Sequence, residues 1–378
     1  MAGIYFHIPF CIKKCSYCDF YSKNDLSTVD ELVKAEIQEL KFRCNYLDNE
    51  IVDTIYFGGG TPSLLDVKSV RELINCVRSE YLVSDRCEIT FEANPDDLTE
   101  EYLNGLFDVG INRLSIGIQS FNDDVLKFLG RRHDSSKLVK IIKIAQKIGF
   151  LNISADVIFG IPGFELSAYL DSLDKILDLD VQHISAYSLT IAEGTVLYKQ
   201  VNKKKLVLLG EDAVLIQFNH TIDKLSTHGF IQYEISNYAK DGFMSRHNCS
   251  YWEDIRYLGI GPSAHSYNKV SRQWNISNTG KYCNNINQQK PFYEIECLTD
   301  IDKYNEYLIT GFRTSKGISK KYIIENFDEK FYHYFMDKVD NLFNDNLIFI
   351  KEDRISLTRN GIFISDYLLK LFYYTQNS

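Results

Sequence analysis

Three cysteines stand close together near the start of the chain and are spaced as ligands of a metal centre. Cys11, Cys15 and Cys18 follow a short apolar run in the pattern Cys-x-x-x-Cys-x-x-Cys. Iron–sulfur clusters are usually held by four Cys thiolates, so a set of three leaves one iron of a four-iron cluster with an open coordination position. A zinc site with a distant fourth ligand and cysteines without any metal are the alternatives that this pattern leaves open.

A glycine-rich segment follows the second apolar run of the chain. Gly58, Gly59, Gly60 and Thr61 precede Pro62. Because glycine has no side chain, the backbone of such a segment approaches a polar ligand closely. The segment lacks the Gly-Lys-Ser/Thr ending of a nucleotide P-loop and does not match the dinucleotide-binding fingerprint. It is therefore either a ligand-contacting loop of another kind or an ordinary turn.

The elements that would position these groups are strands alternating with helices. Most gaps between the apolar runs have helical periodicity, as in Val29 to Leu40 behind a capping box of Thr28 and Glu31. Six runs predict an α/β fold with parallel strands, most simply a partial (β/α)6 barrel, although a doubly wound sheet would give a similar pattern. The six runs end near His7, Phe57, Glu92, Gly117, Val157 and Tyr187.

Polar residues fall at or just past the ends of these strands. A β/α barrel builds its site from the carboxyl ends of its strands, so we expect these residues to share one rim. For any one of them, the plain alternative is that a polar residue simply marks the end of a strand. They are His7, Gly58 to Thr61, Glu92, Gln119, Asp156 and Tyr187.

Composition limits the class of protein. The chain has 378 residues, with 42 basic and 51 acidic side chains and a net charge of -9, which works against nonspecific binding of nucleic acid. No signal peptide and no stretch of about 20 apolar residues is visible, so we expect no membrane span. Nine cysteines, three of them clustered, favour a metal site in a reducing compartment over disulfides, and predict a cytoplasmic protein.

The last third of the chain has a different pattern. Beyond about residue 235 the strand–helix alternation fades, and residues 301–378 predict helices, a hairpin of Leu347–Ile350 and Arg354–Leu357, and a final helix behind Thr358. This order is winged-helix-like, but the 11 basic and 11 acidic residues of the segment disfavour DNA. We therefore expect a barrel over 1–235, a connecting segment over 236–300 and a small α+β domain over 301–378.

The region around the three cysteines resembles the cluster motif of radical S-adenosylmethionine (SAM) proteins of the coproporphyrinogen dehydrogenase group. The resemblance implies a [4Fe-4S] cluster on Cys11, Cys15 and Cys18, SAM on its open iron, and an electron donor. It leaves open whether one or two SAM molecules bind. The residues that match SAM contacts of the family are Tyr5, Tyr17, Gly59, Gly60, Thr61, Glu92, Gln119, Arg131 and Asp156.

Two features point to one branch of that group. The dehydrogenases have a further Cys two positions after the third, where this chain has Phe20, and this ending resembles the heme chaperone (HemW-type) branch. His247, Asn248, Tyr251 and Trp252 match the His-Asn-x-x-Tyr-Trp heme motif of that branch. The match implies heme contact, with His247 or Tyr251 as the iron ligand, and we expect this stretch to close over the barrel mouth as a loop.

The resemblance implies a heme carrier that delivers heme to acceptor hemoproteins, including membrane-associated respiratory ones. The alternative is an oxygen-independent coproporphyrinogen III dehydrogenase, which would decarboxylate the propionates of its substrate by hydrogen abstraction. A radical SAM protein that modifies nucleic acid is a more distant reading, because the chain is acidic and shows no RNA-binding module.

Overall fold

The computed structural model describes residues 1–375 as an α/β fold with one large and one small sheet. The large sheet has twelve strands in the order β12-β11-β10-β9-β1-β2-β3-β4-β5-β6-β8-β7, and the small one has the order β13-β15-β14. The strands are β1 (Ala2–Ile8), β2 (Val52–Gly59), β3 (Val83–Ala93), β4 (Arg113–Gln119), β5 (Ile153–Phe159), β6 (His183–Ser188), β7 (Ile231–Gln232), β8 (Asn237–Ala239), β9 (Arg256–Ile260), β10 (His265–Tyr267), β11 (Ser271–Asn275), β12 (Tyr293–Cys297), β13 (Ile318–Ser319), β14 (Ile348–Lys351) and β15 (Arg354–Leu357).

Fifteen α-helices occur among the described residues, and those between β1 and β6 follow the predicted alternation. The helices are α1 (Val29–Phe42), α2 (Val67–Glu80), α3 (Glu100–Val109), α4 (Asp123–Leu129), α5 (Leu138–Ile148), α6 (Leu166–Leu177), α7 (Val196–Asn202), α8 (Glu211–Thr227), α9 (Arg246–Trp252), α10 (Thr279–Asn287), α11 (Asp300–Arg313), α12 (Lys320–Asn326), α13 (Glu329–Asn344), α14 (Arg359–Phe363) and α15 (Ser365–Phe372).

The six predicted strands, β1 to β6, lie side by side in chain order, and each pairs in parallel with the next. All six predicted strand ends fall within two residues of the observed ones. The outer neighbours of β1 and β6 are β9 and β8, so the six strands form a partial barrel, as predicted. Its parallel strands bring their carboxyl ends to one rim.

The strands of the barrel alternate between apolar and polar side chains, which separates the packed core from the barrel interior. In β4 the apolar residues Leu114, Ile116 and Ile118 are fully buried in the main hydrophobic core. The residues between them are Arg113, Ser115, Gly117 and Gln119. Because side chains on a strand point alternately to its two faces, these polar residues line the opposite face.

Helix α1 begins where the sequence predicts, but the predicted capping box does not form. Thr28 is the N-cap residue and makes no capping hydrogen bond with its side chain. Its hydroxyl instead accepts a hydrogen bond of 2.7 Å from the ammonium group of Lys23. The prediction of the helix is confirmed, and that of its cap is wrong.

The segment after residue 235 contributes strands to the large sheet. Strand β9 pairs in parallel with β1, with Tyr5 opposite Gly259, and β10 to β12 extend the sheet in antiparallel fashion. On the other side, β8 pairs with β6 in antiparallel fashion. Residues far apart in the chain therefore flank the first and last strands of the partial barrel.

The C-terminal residues have a hydrophobic core of their own, which runs from Tyr304 to Phe372. The predicted hairpin is present as β14 and β15. Thr358 caps the helix behind it through a hydrogen bond from the N–H of Gly361, but the final helix is divided into α14 and α15. The predicted winged-helix-like order is thus observed, while the domain boundaries at 235 and 300 stay predictions.

Within residues 1–375, no helix has the length and apolar composition that would let it cross a membrane.

Candidate functional site

The loop that carries the three clustered cysteines, residues 9–18, is fixed at the carboxyl end of β1 and is called here the cysteine loop. The N–H of Cys11 donates to the carbonyl of Lys23 at 3.0 Å, and the N–H of Ser16 donates to the carbonyl of Leu129 at 3.0 Å. The loop is therefore tied both to the chain that follows it and to the end of α4.

Two of the three thiols receive hydrogen bonds from other loops at the same rim. The hydroxyl of Thr61 donates to Sγ of Cys11 at 3.5 Å, and the guanidinium of Arg131 donates to Sγ of Cys15 at 3.5 Å. Burial raises the pKa of the third thiol, Cys18. Within residues 1–375, no three Cys, His, Asp or Glu side chains are arranged as ligands of a single metal ion.

The glycine-rich segment packs directly against the cysteine loop, and two of its positions require glycine. Gly59 has φ of +103°, and a Cβ there would lie 2.7 Å from the ring of His7. At Gly60 a Cβ would lie 2.7 Å from the carbonyl oxygen of Phe10, while the N–H of Gly60 donates to Ile8 at 2.8 Å. The glycines therefore let two loops of the rim touch backbone to backbone.

Two carboxyl groups face each other across the barrel near this rim. Glu92 accepts a hydrogen bond of 2.7 Å from the hydroxyl of Tyr56, and burial followed by the nearby charge of Asp156 raises the pKa of Glu92 to about 7. Burial also raises the pKa of Asp156 to about 6, although Ser115 donates to both its oxygens at 3.2 Å. Both carboxyl groups therefore lie in surroundings that favour the protonated form more than water does.

Arg131 and Gln119 converge on the end of β4. Arg131 donates to the carbonyl of Gly117 at 2.8 Å, and a Cβ at Gly117 would lie 3.0 Å from the side-chain nitrogens of both residues. Gln119 itself has a φ of +64°, which is uncommon for a residue other than glycine and turns the chain away from the strand. Tyr17 packs beside Ile158 and Ile161, and burial raises its pKa.

Tyr5 lies deeper in the barrel than the rim residues. Its ring stacks on Tyr56 at 6.0 Å between centroids, and its hydroxyl hydrogen-bonds to Nδ1 of His7 at 3.2 Å. His7 is buried, its Nε2 bonds to the carbonyl of Tyr21 at 3.0 Å, and burial lowers its pKa. Of the predicted rim residues, His7 thus holds the chain just after the cysteine loop, whereas Tyr187 is 43% exposed.

Arg113 is a central residue that the sequence did not single out. It is 1% exposed, its Nε has no hydrogen-bond partner within residues 1–375, and its charge lowers the pKa values of Glu92 and Asp156. The signal was present in the alternation of β4, where arginine occupies an interior-facing position. Tyr56 was missed in the same way on β2.

Helix α9 carries the His-Asn-x-x-Tyr-Trp motif and lies at the opposite end of the barrel from the cysteine loop. A Cβ at Gly3 would lie 3.3 Å from the ring of His247, and Thr54 bonds to Nδ1 of His247 at 2.8 Å. The N–H of His247 donates to Glu88 at 3.1 Å. Gly3 and Thr54 are paired near the amino ends of β1 and β2, and Thr54 is paired with Glu88 of β3.

The expectation that this stretch closes over the barrel mouth is therefore wrong. Gly3 precedes the rim residue His7 by four positions on β1, which corresponds to about 13 Å along a strand. The cause is the pairing of β9 with β1, which brings the preceding helix beneath the barrel.

His247 is enclosed on all sides by protein. It is 1% exposed, its ring stacks on Tyr56 at 5.0 Å, and Nε2 shares a hydrogen bond of 3.0 Å with the hydroxyl of Tyr251. Burial and then the charge of Arg113 lower the pKa of His247 to about 3. Both ring nitrogens are occupied, so the imidazole is neutral and has no free position for iron in this arrangement.

The other aromatic residues of the motif face a cavity, called here the motif cavity, of about 950 Å³. Tyr251 and Trp252 line it on one side, and residues of α11, α12 and β15 line it on the other. The guanidinium of Arg313 lies 5.3 Å from the ring centre of Trp252, and Trp252 Nε1 is a buried donor without a partner within residues 1–375. Asn248 does not line the cavity; its N–H donates to the hydroxyl of Ser245 at 3.3 Å. The cavity is within the size range of sites for small organic ligands.

Comparison with known proteins identifies the family. Residues 5–176 match the family described as "Radical SAM superfamily" and residues 298–364 match "HemN C-terminal domain". The chain is 35% identical to "Heme chaperone HemW" of Bacillus subtilis (strain 168), over 96% of each chain. It is 31% identical to the protein of that name from Lactococcus lactis subsp. lactis (strain IL1403), over 97% of this chain and 96% of that one. The chain belongs to the HemW family.

A solved structure shows the same fold for this HemW-family chain. Coproporphyrinogen III oxidase (HemN) from Escherichia coli, described as a radical SAM enzyme, superimposes with a TM-score of 0.85 over 98% of this chain and 90% of that one, at 22% sequence identity. The α/β fold with a radical SAM type of partial barrel and a C-terminal domain is thereby confirmed. At this sequence identity the match is evidence for the fold alone.

Proposed function

We propose that this HemW-family protein is a heme chaperone, which binds heme in the motif cavity and passes it to acceptor hemoproteins. The observation that carries the proposal is the position of Tyr251 and Trp252, which are the aromatic residues of the predicted heme motif and line a cavity of about 950 Å³. Aromatic side chains give a macrocycle an apolar bed.

Tyr251 is the residue of the motif best placed to bind the heme iron. A phenolate is an established axial ligand of heme, and Tyr251 lines the cavity whereas His247 does not. When ferric heme with a hydroxide ligand binds, the phenol proton and the hydroxide leave together as water. His247 can then donate from Nε2 to the phenolate while Nδ1 accepts from Thr54, so it is a positioning residue.

At the other end of the barrel, the donor set of the cysteine loop fits a [4Fe-4S] cluster. Cys11, Cys15 and Cys18 supply three thiols, and all nine cysteines are free. When bound, the cluster supplies an iron with an open position for the amino and carboxylate groups of SAM. Thr61 and Arg131 donate to two of the sulfurs, and both bonds suit thiolates.

The remaining rim residues offer groups that match the polar parts of SAM. Gly59, Gly60 and Thr61 match the loop that contacts the methionine end of SAM in the family, and Glu92 and Asp156 are acceptors for an ammonium group or ribose hydroxyls. Gln119, Arg131, Tyr17 and Tyr5 complete the proposed SAM contacts. Cleavage of the bound SAM would require an electron donor.

We further propose that the protein acts in the cytoplasm, because its nine cysteines are all free and a reducing compartment keeps them so. Acceptors embedded in membranes, such as respiratory hemoproteins, would then meet the carrier at the membrane surface. A three-unit division of the chain at about residues 235 and 300 is part of the same proposal.

A transfer assay tests the proposed function. Protein loaded with one equivalent of hemin is mixed with an apo-hemoprotein whose spectrum differs when it is filled, and the acceptor is then separated and its heme measured. We expect the loaded protein to transfer heme to the acceptor faster than free hemin or hemin bound to serum albumin does. The absence of stoichiometric hemin binding, or no transfer above these controls, would refute it.

A further inference from the structure

The motif cavity is lined by more basic than acidic side chains. Six are basic and four are acidic, although the chain as a whole carries a net charge of -9. This local excess therefore runs against the overall composition. The basic residues are Lys269, Arg272, Lys303, Lys316, Lys321 and Arg354, and the acidic ones are Glu253, Asp254, Glu306 and Glu325.

Each of the four acidic residues forms an ion pair with one of the basic residues. Two of these pairs have a separation of 3.6 Å, and the other two are in closer contact. The pairs are Lys269–Asp254, Lys321–Glu325, Arg272–Glu306 and Lys316–Glu253. Four positive charges of the cavity are thus already neutralised.

Lys303 and Arg354 are the two cations that remain. Within residues 1–375 neither forms an ion pair with a carboxylate. Arg354 donates from Nη1 to the carbonyls of Lys316 and Gly317, both at 3.3 Å. The neighbouring carboxylate of Asp353 is engaged by the hydroxyl of Ser319 and by the N–H of Lys321. The cavity therefore holds two positive charges that have no carboxylate partner among the described residues.

We propose that Lys303 and Arg354 form a subsite for the two carboxylates of a dianionic tetrapyrrole. The proposal rests on the proposed heme-binding function and specifies which class of porphyrin the cavity selects. A porphyrin dicarboxylate neutralises both cations and lays its ring against Tyr251 and Trp252. A porphyrin tetracarboxylate, such as a coproporphyrin, would leave two carboxylates without cationic partners, beside four acidic side chains.

The test measures binding of three probes to the full-length protein: hemin, hemin dimethyl ester and iron coproporphyrin III. Quenching of tryptophan fluorescence and absorption titration give the affinities. The variants are K303Q, R354Q and their combination. The matched controls are K269Q and K321Q, which remove cavity lysines that already have carboxylate partners.

We expect K303Q and R354Q each to weaken hemin binding by about three- to tenfold, and the double variant to lose roughly the product of the two factors. The control substitutions should change the hemin affinity by less than about twofold. Hemin dimethyl ester should bind the wild type at least about tenfold more weakly than hemin does. The affinity for the ester should be similar in the wild type and in all variants. Hemin should be preferred over iron coproporphyrin III, and this preference should shrink in the double variant.

Unchanged hemin affinity in both single variants would overturn the subsite, as would equal binding of hemin and its dimethyl ester by the wild type. These outcomes leave the proposed function standing, since the wild type still binds heme. Failure of the wild type to bind hemin at all would instead refute the proposed function. Thermal unfolding and the absorption of the iron–sulfur centre establish that each variant is folded, and R354K provides a second variant that keeps the charge and should retain most of the affinity.

Discussion

His247 and Tyr251 lie one turn apart on α9 and share a hydrogen bond of 3.0 Å between Nε2 and the phenol oxygen. The imidazole of the pair is buried against the barrel strands, and the phenol lines the motif cavity. The two residues of the motif that carry metal-binding groups therefore have different surroundings, and substitutions at the two positions should have different effects.

The Tyr251→Phe variant should lose the iron ligand. We expect its ferric heme complex to bind about tenfold more weakly than wild type and to lose the phenolate-to-iron charge-transfer bands, because the ring remains but the oxygen does not. His247→Gln should keep these bands, with shifted positions. Resonance Raman and absorption spectra measure both effects, and Tyr257→Phe in the same cavity is the control. Retention of phenolate bands in Tyr251→Phe would show that Tyr251 is not the ligand.

Anaerobic reconstitution should load about four irons and four sulfides per chain. Replacing Cys11, Cys15 or Cys18 by Ala should abolish this loading, because each thiolate holds one iron. Cys76 is buried against the carbonyl of Ile37 and serves as a matched cysteine outside the rim, as does exposed Cys297. Iron and sulfide analysis gives the result, and equal loss in Cys76→Ala would contradict the assignment of ligands.

Protein with its cluster should bind SAM without converting coproporphyrinogen III to protoporphyrinogen IX. Phe20 stands in place of the further thiol of the dehydrogenases, and its side chain is 63% exposed on the chain that follows the cysteine loop. Chromatography of the porphyrin products after anaerobic incubation measures this. A doubly decarboxylated product above a control without protein would support the dehydrogenase instead, and Phe20→Cys alone is not expected to create the activity.

The Glu92→Gln variant should be more stable than wild type in alkaline conditions. The pKa of Glu92 is raised to about 7 in the folded protein from its usual value near 4.3. Its contribution to stability is therefore fully present below about pH 4 and is lost as pH rises towards 7. In denaturant unfolding of the cluster-free protein at pH 8, the variant should be more stable than wild type by about 3–4 kcal/mol, with little difference at pH 4.5. A variant less stable at pH 8 would contradict the raised pKa.

The barrel was predictable because its information is local. Each strand of the barrel is marked in the sequence by an apolar run. Each polar residue predicted at a strand end lies within a few positions of the observed end of that strand. Gln119 and Arg131 come together because they follow neighbouring parts of the same βα unit. Arg113 was missed because an arginine at the start of an apolar run is readily taken as the strand boundary, and only the alternation along the whole of β4 places it on the interior face.

The position of the heme motif could not be predicted because it depends on pairing between distant segments. The segment 236–300 has no strong periodicity, yet β9 pairs with β1, about 250 residues earlier in the chain. That pairing places α9 below the barrel and His247 against Thr54. The hydrogen bond of Thr28 was missed because its donor, Lys23, is held by backbone hydrogen bonds to Pro9 and Cys11, which the capping pattern does not reveal.

The motif cavity is built from two parts of the chain, and this division has a consequence for unloading. Tyr251 and Trp252 belong to the helix beneath the barrel, whereas Lys303 and Arg354 lie on α11 and β15, which contribute to the C-terminal core. A small separation of these two parts would detach the propionates from their cations while the ring still rests on the aromatic side. Under the proposed function, an acceptor that contacts the exposed edge of the heme at that stage would receive it directly from the cavity, without an intermediate of free heme in water.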